Sequence, residues 1–528
     1  MRIFGLDKIL TYFQKSEIGE DFVWGVGDIF GILARKIRRN MQRFFGRERY
    51  FQILDDLWGK NAPSFVTCRG RRRVGKSTLI ERFAERSGAR FIKIEGEKPD
   101  EMTTDEDERR SFALQLAAQS EAEDSCPSNW LNAFIRLHKE IDGEARTVVL
   151  LDEVSWMGNF DHAFSATLKI AWDNYLKKHS RLIFVVCGSV STWIRDKIIE
   201  NKAFYGRRSL DLVVPELPLA ECVKFWGDKR ESVSDREVLD MLAVTGGIPR
   251  YLEELNPSLS CEENLRRMCF VPNSPLRVDF DDMFTDVITK QPRLSAKVIR
   301  ALVSGSKSVS EIADVLGMEK GGDLSDALSQ LNESGIVAAD GGKNPQTGAE
   351  VREKRYRIKD NYSRFYLKYV EPSKDAIDAD SFSFVGLEQF PGWETDLGYQ
   401  FENLVVNNIR ELLPALHLQN VMIKSAAPYV KRGSRKTGEA GCQIDLLIQT
   451  ASSLHVVEIK RQARIGREVI DEVKEKCRRL PRVPGLSIRT ALVYSGELAK
   501  SVEAEGYFDA IVPFARLIGL SSHTGKRL

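Results

Sequence analysis

The sequence predicts an α/β protein built from several domains. Its 528 residues are too many for one hydrophobic core, so three or four domains are expected. Apolar, β-rich runs alternate with segments of helical periodicity; one such run ends at Arg69 and is followed by a helical pattern from Lys76. Near the C-terminus the predicted order is one amphipathic helix over residues 396–414, three strands, a second helix and further strands. Strands and helices thus alternate at both ends of the chain.

The composition describes a globular protein without a bulk charge bias. Hydrophobic residues make up 42% and charged residues 29%, and 78 basic against 76 acidic residues leave a net charge of +2. Any basic surface for nucleic acid must therefore be local. The eight cysteines include no Cys-x-x-Cys pair, which indicates free thiols in the reducing cytoplasm and argues against disulfides or a structural zinc site.

Residues 1–43 are expected to form an amphipathic N-terminal extension. The apolar stretch Phe22–Ala34 is interrupted by Asp28 and is too short to span a bilayer, and a basic segment follows it. A helix lying on a membrane surface is one interpretation. A helix that docks on a neighbouring subunit or on the chain's own core is favoured, because membrane-surface anchors are rare.

The segment Ser64–Phe83 contains G-x-x-x-x-G-K-[ST] between a strand and a helix. Glycines allow backbone N–H groups to converge on phosphate oxygens, and a helix N-terminus adds partial positive charge. In this pattern the lysine reaches the β- and γ-phosphates and the serine binds Mg²⁺. Because the strand and the helix are both present, an ATP site is favoured over a chance match. The predicted nucleotide-binding residues here are Gly70, Gly75, Lys76, Ser77 and Thr78.

A second buried strand ends in an acidic pair. The segment "TVVLLDEVSW" places Asp152 and Glu153 directly after five apolar or β-branched positions. Asp152 is expected to hold Mg²⁺ through water and Glu153 to polarise the attacking water, although such a pair also caps helices. A further strand, Arg181–Ser191, would bring Ser189 near the γ-phosphate.

The order of these segments resembles the archaeal-type AAA+ ATPases, a family also found in bacteria. The resemblance rests on "FFGRERYFQIL", "GRRRVGKS", "LLDEVSW", "CGS", "YGRR" and "TGGIPRYL", in that order. It implies a doubly wound parallel P-loop sheet followed by a helical lid, with Pro249 near the adenine. It also implies a γ-phosphate sensor or arginine finger at Arg207 or Arg208, acting in cis or in trans. Either arginine could equally be a surface strand residue.

Residues 291–370 have the pattern of a helix–turn–helix followed by a wing. Ser308 stands three residues before Glu311, as in a capping box, and a Gly-rich hairpin comes later. The same ATPase family carries a winged helix at this point. Its second helix holds three acidic residues and no Lys or Arg, so insertion into a DNA groove would be repulsive. A spacer or protein-contact module is favoured over a DNA reader.

The C-terminal segment carries acidic residues on separate elements. Strand residues two apart share a face, so Glu458 and Lys460 point the same way; Asp445 lies on the strand before, and Glu402 lies early in the preceding helix. These positions resemble the PD-(D/E)XK nuclease core, in which the ATPase family above also ends. The resemblance implies that the three acids bind Mg²⁺ or Mn²⁺ and that Lys460 orients a water.

Two further points bear on this second site. Glu-x-Lys on a wet strand face also serves as a cross-strand charge pair, but the separate acid on the helix argues against that interpretation. Nearby basic residues would contact a DNA backbone without sequence choice. They are Lys431, Arg432, Arg435, Lys436 and Arg461.

The predicted organisation is a multidomain α/β protein with an N-terminal extension (1–43), an AAA+ ATPase core (44–220), a helical lid (221–290), a winged helix (291–370), a linker (371–395) and a restriction-endonuclease-like α/β domain (396–520). The predicted function is ATP hydrolysis that gates a Mg²⁺- or Mn²⁺-dependent DNA nuclease in a homo-oligomer. The alternative is an ATP-driven switch or scaffold whose C-terminal fold only binds nucleic acid or protein. A membrane-associated regulator is a third option, supported by the N-terminal segment alone.

Overall fold

The structure is a computed structural model. It describes residues 44–98, 102–141, 143–188, 191–278, 280, 291–351, 353–382, 385–433 and 440–519. The predictions for residues 1–43, Ser189, Arg435 and Lys436 lie outside these residues. Among the described helices, none combines the length and the apolar character needed to cross a bilayer.

Five parallel strands form the sheet of the N-terminal part. Their spatial order is β2–β3–β4–β1–β5. The strands are β1 (Ser64–Arg69), β2 (Arg90–Glu95), β3 (Thr147–Asp152), β4 (Leu182–Gly188) and β5 (Arg208–Val213). Every residue of β3 and β4 is buried, which explains their nearly continuous apolar sequences. Parallel strands with apolar cores on both faces make this a doubly wound sheet.

Helices cover both faces of this sheet. They are α1 (Glu48–Trp58), α2 (Lys76–Ser87), α3 (Asp105–Ala117), α4 (Trp130–Lys139), α5 (Val154–Met157), α6 (Phe164–Asn174) and α7 (Ser191–Ile194), with a π-helix (Arg195–Ile199) and 3₁₀ turns (Leu176–Lys178, Lys202–Phe204). Alternate strand residues enter different cores: Val66 packs in one apolar cluster and Phe65 in the other. This alternation fixes which face of the sheet packs against α2, whose Leu79 and Phe83 belong to the same cluster as Val66.

A set of short helices follows the sheet. It comprises α8 (Leu219–Cys222), a kinked 3₁₀ segment (Val223–Ser232), α9 (Asp235–Thr245), α10 (Pro249–Glu253) and α11 (Cys261–Cys269). The turn between α9 and α10 contains Gly246, whose φ of 57° lies in the region that favours glycine. Pro249 occupies the first helical position of α10, where its missing N–H costs no hydrogen bond.

The middle of the chain combines three helices with a small antiparallel sheet of order β6–β8–β7. The elements are α12 (Pro292–Leu302), β6 (Lys307–Ser308), α13 (Val309–Leu316), α14 (Gly322–Glu333), β7 (Val337–Asp340) and β8 (Arg355–Ile358). The predicted capping box is confirmed: Ser308 Oγ accepts from Glu311 N, and Glu311 Oε2 accepts from Ser308 N. Short helical segments connect this region to the C-terminal part. They are α15 (Asn361–Phe365), a π-helix (Tyr366–Val370), a 3₁₀ turn (Glu371–Ser373), α16 (Lys374–Asp378) and a second 3₁₀ turn (Leu387–Gln389).

A second five-stranded sheet, of order β13–β12–β11–β10–β9, lies at the C-terminus. Strands β9, β10 and β11 are antiparallel neighbours, whereas β11, β12 and β13 run parallel. The elements are α17 (Trp393–Asn407), α18 (Ile409–Ala415), β9 (Ser425–Lys431), β10 (Cys442–Gln449), β11 (Ser453–Ile465), α19 (Glu468–Arg479), β12 (Ser487–Leu498), α20 (Lys500–Ala504), β13 (Ala510–Pro513) and α21 (Phe514–Leu517).

Two predicted elements of this region differ from the structure. The segment "LQNVMIKSA", residues 418–426, has the pattern of the first of the three predicted C-terminal strands, and that prediction is wrong in its bounds, because β9 begins only at Ser425, where pairing with β10 starts. Val421 and Met422 gave the segment its strand-like pattern, yet they are 42% and 80% exposed and pack in no core. The single helix predicted over residues 396–414 is interrupted at Asn408, whose backbone leaves the helical region.

Candidate functional sites

The glycine loop, residues 70–77, connects β1 to α2 at the carboxyl end of the sheet. Gly70 has φ 150°, and a Cβ added there would lie 2.3 Å from the Val214 carbonyl oxygen. Gly75 has φ 83° and precedes α2 directly. Both positions thus require glycine, one for close approach and the other for its left-handed backbone. Lys76 is buried and its Nζ donates to the Arg71 carbonyl oxygen at 3.1 Å, which closes the loop over the start of α2.

Two arginines that the sequence did not single out hold this loop in place. Arg47 Nη2 donates to the carbonyl oxygens of Val74 (3.0 Å) and Pro215 (2.9 Å). Arg71 forms a buried bidentate ion pair with Asp360, and both N–O distances are 2.6 Å. Arg47 lies in the "FFGRERYFQIL" segment, so that segment carries a signal; no local signal pointed to Arg71, because its partner is 289 residues away.

The acidic pair at the end of β3 shares the sheet edge with the glycine loop. Asp152 is buried; its Oδ2 lies 3.3 Å from Lys93 Nζ and its Oδ1 accepts from Glu153 N. Glu153 adopts a left-handed backbone, φ 47°, that is unusual for this residue type. Its Oε2 lies 3.9 Å from where a Cβ on Gly188 would stand, so the carboxylate reaches the end of β4.

The structure moves Arg207 and Arg208 away from the glycine loop of their own chain. Arg208 begins β5 and is in register with Phe65, four residues before Arg69, which corresponds to about 13 Å along the strand. Arg207 pairs with Asp173 on α6 at 2.9 Å, and Arg208 donates to the Ile199 carbonyl oxygen. The interpretation in cis is therefore wrong: both arginines lie at the amino end of the sheet. A role in trans stays a prediction.

The "GGIP" turn contacts the chain segment that leaves β5. Gly247 O accepts from Leu217 N at 2.7 Å, and Gly247 N donates to Glu216 Oε2 at 3.2 Å. A Cβ on Gly247 would lie 2.3 Å from the Leu217 carbonyl oxygen. The same segment supplies Val214, which covers Gly70. The glycine loop and the turn before Pro249 are thus joined through a few residues, and the predicted place of Pro249 near adenine stays a prediction.

A cavity of about 430 Å³ opens on the C-terminal sheet, and we call it the acidic cavity. It is lined by Glu402, Cys442, Gln443, Asp445, Glu458, Lys460, Glu472, Glu475, Lys476 and Arg479. The four residues predicted for this site therefore come together, although α17, β10 and β11 supply them from distant parts of the sequence.

Two of the acids stand just beyond the last paired residues of neighbouring strands. Leu446 pairs with Val457, which places Asp445 and Glu458 at the next position of the ladder. Asp445 Oδ2 accepts from Ile459 N at 2.8 Å, and Glu458 is only 1% exposed. Like charges in this arrangement destabilise a sheet unless positive charge balances them.

Two lysines supply positive charge in the acidic cavity. Lys460 Nζ lies 3.0 Å from Glu458 Oε1 and 2.9 Å from Glu472 Oε2. Lys476 Nζ lies 2.5 Å from Glu458 Oε2 and 3.8 Å from Asp445 Oδ1. Sequence reasoning missed Lys476. Its four-residue spacing from Glu472, on one face of α19, was the available signal.

Two carboxylates of this cavity, those of Glu402 and Asp445, have raised pKa values. Burial, together with the charges of Asp445 and Glu458, raises the pKa of Glu402 to about 8. Burial and the charge of Glu458 raise the pKa of Asp445 to about 6. Burial alone would lower the pKa of Lys476, but the adjoining carboxylates outweigh it and raise that pKa. The cavity thus favours added positive charge, as a proton or as a cation.

The composition of the cavity suits a hard divalent cation. Its lining has five carboxylates against three basic side chains, a formal excess of two negative charges, and carboxylate oxygens are the ligands that Mg²⁺ and Mn²⁺ prefer. As the side chains stand, no three His, Cys, Asp or Glu side chains in the described part of the protein are grouped to hold a metal ion. Lys476 donates to Glu458 Oε2 instead, and Lys460 Nζ lies within ion-pair distance of Glu458 Oε1. Binding of a cation by Glu458 requires Lys476 to withdraw.

The basic residues predicted to contact DNA differ in accessibility. Arg461 is wrong for that role: its side chain is 2% exposed, its Nε donates to Asp240 Oδ1 at 2.9 Å and its Nη1 to Glu394 Oε2 at 2.7 Å. Alternation along β11 turns it away from Lys460 and towards α9. Arg432 is exposed and contacts Glu311 at 2.8 Å, and Lys431 ends β9 half-buried.

Comparisons with known proteins identify the N-terminal part. Residues 44–255 match a family described as an ATPase domain predominantly from Archaea, so they form a P-loop ATPase domain. The matched region ends before the acidic cavity. An uncharacterized protein of Methanocaldococcus jannaschii is 23% identical over 409 residues, which span 76% of this chain and 84% of that protein.

Solved structures are similar at a lower level. The Walker-type ATPase of Pyrococcus abyssi has a TM-score of 0.48 at 17% identity, covering 61% of this chain and 96% of that chain. The ORC2 protein of Aeropyrum pernix, in ADPNP–ADP complexes, has a TM-score of 0.37 at 14% identity, covering 64% of this chain and 94% of that chain.

Proposed function

We propose that this chain is an ATP-driven protein whose C-terminal α/β domain carries a divalent-metal-dependent nuclease site acting on DNA. One observation carries the proposal. Glu402, Asp445, Glu458 and Lys460, from a helix and two strands, line a single cavity with excess negative charge. Burying like charges together lowers the stability of the fold, which favours a functional role for these residues over a purely structural one.

Within the ATPase domain, each group at the sheet edge has a proposed role. Lys76 neutralises the β- and γ-phosphates, for which its Nζ must leave the Arg71 carbonyl oxygen. Ser77 and Asp152 hold Mg²⁺. Glu153 polarises the attacking water, and its left-handed backbone turns its carboxylate to the edge that the glycine loop shares.

Within the acidic cavity, Glu402, Asp445 and Glu458 would hold Mg²⁺ or Mn²⁺. The bound ion supplies Lewis acidity to the phosphodiester and its attacking water. Lys460 orients that water or neutralises developing negative charge, because its Nζ already lies at the edge of the carboxylate group. Lys476, 2.5 Å from Glu458, acts as the counter-charge that the cation replaces.

The middle region is proposed to be a winged helix that works as a protein-contact module. Its second helix, α14, ion-pairs through Glu333 with Arg195 of the ATPase domain. Its wing contacts the C-terminal sheet, where Lys343 N donates to Ser425 Oγ at 3.1 Å. Contacts on both sides support a spacer between two sites better than a free DNA reader.

Contacts with DNA and with other subunits are proposed on charge and position. The accessible Lys431 and Arg432 border the strand that pairs with Cys442 and Gln443 of the acidic cavity, so a DNA backbone could pass there. Arg207 sits at the edge of the sheet away from its own glycine loop, which suits a finger that completes the site of a neighbouring copy in a homo-oligomer.

A cleavage assay tests the nuclease proposal. Linear, nicked and branched DNA are incubated with Mg²⁺ or Mn²⁺, with and without ATP, and Glu458→Ala is compared with Glu475→Ala. Glu475 also lines the cavity but pairs with Arg479 at its rim. We expect cutting by the unaltered protein and by Glu475→Ala and none by Glu458→Ala. Uncut DNA in every reaction of the unaltered protein would contradict the proposal.

A second candidate function is an ATP-driven switch whose C-terminal domain only binds nucleic acid or protein. The observation in its favour is that Lys460 and Lys476 already pair with both oxygens of Glu458. Such a network needs no cation. The two candidates separate on metal binding: a scaffold has no reason to bind Mn²⁺ through Asp445 and Glu458 together.

A further inference from the structure

The glycine loop of the ATPase domain is tied directly to the start of α15. Arg71, inside the loop, is buried, and its two terminal nitrogens each lie 2.6 Å from an oxygen of Asp360, which is 1% exposed. Arg71 Nη2 also donates to Tyr251 OH at 3.4 Å. A bidentate pair away from water holds its partners in one geometry, because removing either partner strands a buried charge.

The far side of this pair leads into α15. Asp360 caps α15, since its Oδ2 accepts from Ser363 N at 2.8 Å. The next residue, Asn361, is 2% exposed, and its Nδ2 donates to the carbonyl oxygens of Ala243 (2.8 Å) and Gln400 (3.1 Å). A movement of Asp360 therefore moves a side chain that touches both α9 and α17.

Helix α17, which lies beside the acidic cavity, also donates hydrogen bonds to Asn361. Gln400 Nε2 donates to Asn361 O at 2.7 Å, and Asn403 Nδ2 donates to Asn361 Oδ1 at 2.5 Å. Glu402, which lines the cavity, stands directly before Asn403 in the same helix. The buried polar contacts thus run without interruption from the glycine loop to the helix that positions Glu402.

A second, separate contact joins the same two regions. Arg461 follows Lys460 in β11 and pairs with Asp240 on α9, the helix that also receives Asn361. Two elements of the acidic cavity, α17 and β11, are therefore fastened to one helix of the ATPase side.

The loop end of this connection is the part that nucleotide must rearrange. Lys76 Nζ donates to the carbonyl oxygen of Arg71 itself. Phosphate groups bound at the loop would draw that ammonium away, because the lysine of this pattern binds the β- and γ-phosphates. Arg71 would then lose this backbone contact and keep its guanidinium pair with Asp360.

We propose that Arg71, Asp360 and Asn361 transmit nucleotide binding to α17, so that nucleotide changes the position of Glu402 relative to Asp445 and Glu458. In this proposal the three residues act as positioning residues, through the Arg71–Asp360 pair and the contacts of Asn361 with α17. The regulatory meaning of the movement rests on the proposed nuclease function, but the movement itself does not.

Hydrogen exchange of the full chain tests this connection without any cleavage assay. Amide exchange over residues 393–407 is measured with and without a slowly hydrolysed ATP analogue and Mg²⁺, in the unaltered protein and in Asp360→Asn, Asn403→Ala and Asp378→Asn. Asp378 forms a similar bidentate pair with Arg277, but at the surface, and serves as the matched control. A fluorescent ATP analogue reports nucleotide occupancy in each variant.

We expect nucleotide to change the exchange rates in α17 at least about fivefold in the unaltered protein and in Asp378→Asn. The change should fall below about twofold in Asn403→Ala, which keeps nucleotide bound and leaves Arg357, a donor to Asn403, its ion pair with Asp340. In Asp360→Asn, which removes the partner of the buried Arg71 charge, the change should fall to the same level at equal nucleotide occupancy. An unchanged α17 in the nucleotide-bound unaltered protein, or a full response in Asn403→Ala, would overturn the connection. Loss of cutting with the α17 response intact would instead count against the nuclease function alone.

Discussion

The glycine loop takes its phosphate-facing groups from eight consecutive residues, whereas the acidic cavity takes its groups from α17, β10, β11 and α19. The loop depends on backbone conformation, above all at Gly70 and Gly75. The cavity depends on tertiary structure that forces like charges together and balances them with Lys460 and Lys476. One site is therefore sensitive to local backbone changes, and the other to charge and to pH.

The largest expected effects come from inactivating each of the two sites by a single substitution. Glu458→Ala should lower DNA cutting at least about a thousandfold and leave ATP hydrolysis within about twofold, because the two sites share no residue. Lys76→Ala should abolish ATP hydrolysis and leave Mn²⁺ binding at the acidic cavity intact. Parallel assays of ATP hydrolysis, cutting and Mn²⁺ binding measure this. Joint loss of every activity in Glu458→Ala would show that the sites are not separable.

The two lysines of the cavity should separate next. Lys460→Met should lower cutting by about a hundredfold or more, since it removes the group proposed to act on the reacting water. Lys476→Met should instead raise Mn²⁺ affinity by about tenfold, because a competing ammonium leaves Glu458 and Asp445. Calorimetric titration with Mn²⁺ compares the two variants. Weaker Mn²⁺ binding in Lys476→Met would show that this lysine supports the cation.

The pH dependence of stability should distinguish the cavity from the loop. The pKa of Glu402 is about 8 in the folded protein and about 4.3 in the unfolded chain. The contribution of Glu402 to the free energy of unfolding is therefore fully present below pH 4 and is lost as pH rises towards 8. Glu402→Gln removes this loss. Without divalent cations, the variant should gain on the order of 1–3 kcal/mol in unfolding free energy relative to the unaltered protein between pH 5 and 8.

Urea unfolding across that pH range, with Mg²⁺-free buffer, provides the measurement for Glu402→Gln. Glu475→Gln serves as the control, because Glu475 sits at the rim and pairs with Arg478 and Arg479. If the difference in unfolding free energy between Glu402→Gln and the unaltered protein is the same at all pH values, the pKa of Glu402 is not raised in the folded protein.

The smallest effect concerns the loop. Gly75→Ala meets no neighbouring atom within 4 Å, so only its left-handed backbone opposes the methyl group. We expect a loss of about 1 kcal/mol in unfolding free energy that does not vary between pH 5 and 8. The same urea experiment applies. A loss that varies with pH would contradict the claim that only the acidic cavity makes the unfolding free energy depend on pH.

The sequence predicted the contiguous features well. The glycine loop, the strand ending at Asp152 and the cap at Ser308 all depend on neighbours within a few residues, and local chemistry determines their elements. The match to a known ATPase domain over residues 44–255 agrees with that part of the prediction.

The errors arose where distant residues decide. Arg461 looked like a phosphate contact because the sequence could not show that Asp240 would cover it. The cis position of Arg207 failed because strand register is a property of the sheet. Lys476 was missed because only the packing of α19 against β11 brings it to Glu458.

Manganese binding to the full, nucleotide-free chain tests the central claim most directly, with paramagnetic resonance to count bound ions. The account predicts that the unaltered protein binds Mn²⁺ at the acidic cavity and that Asp445→Asn weakens this binding at least about tenfold, while Glu475→Gln leaves it unchanged. Equal Mn²⁺ binding by the unaltered protein and Asp445→Asn would contradict the account.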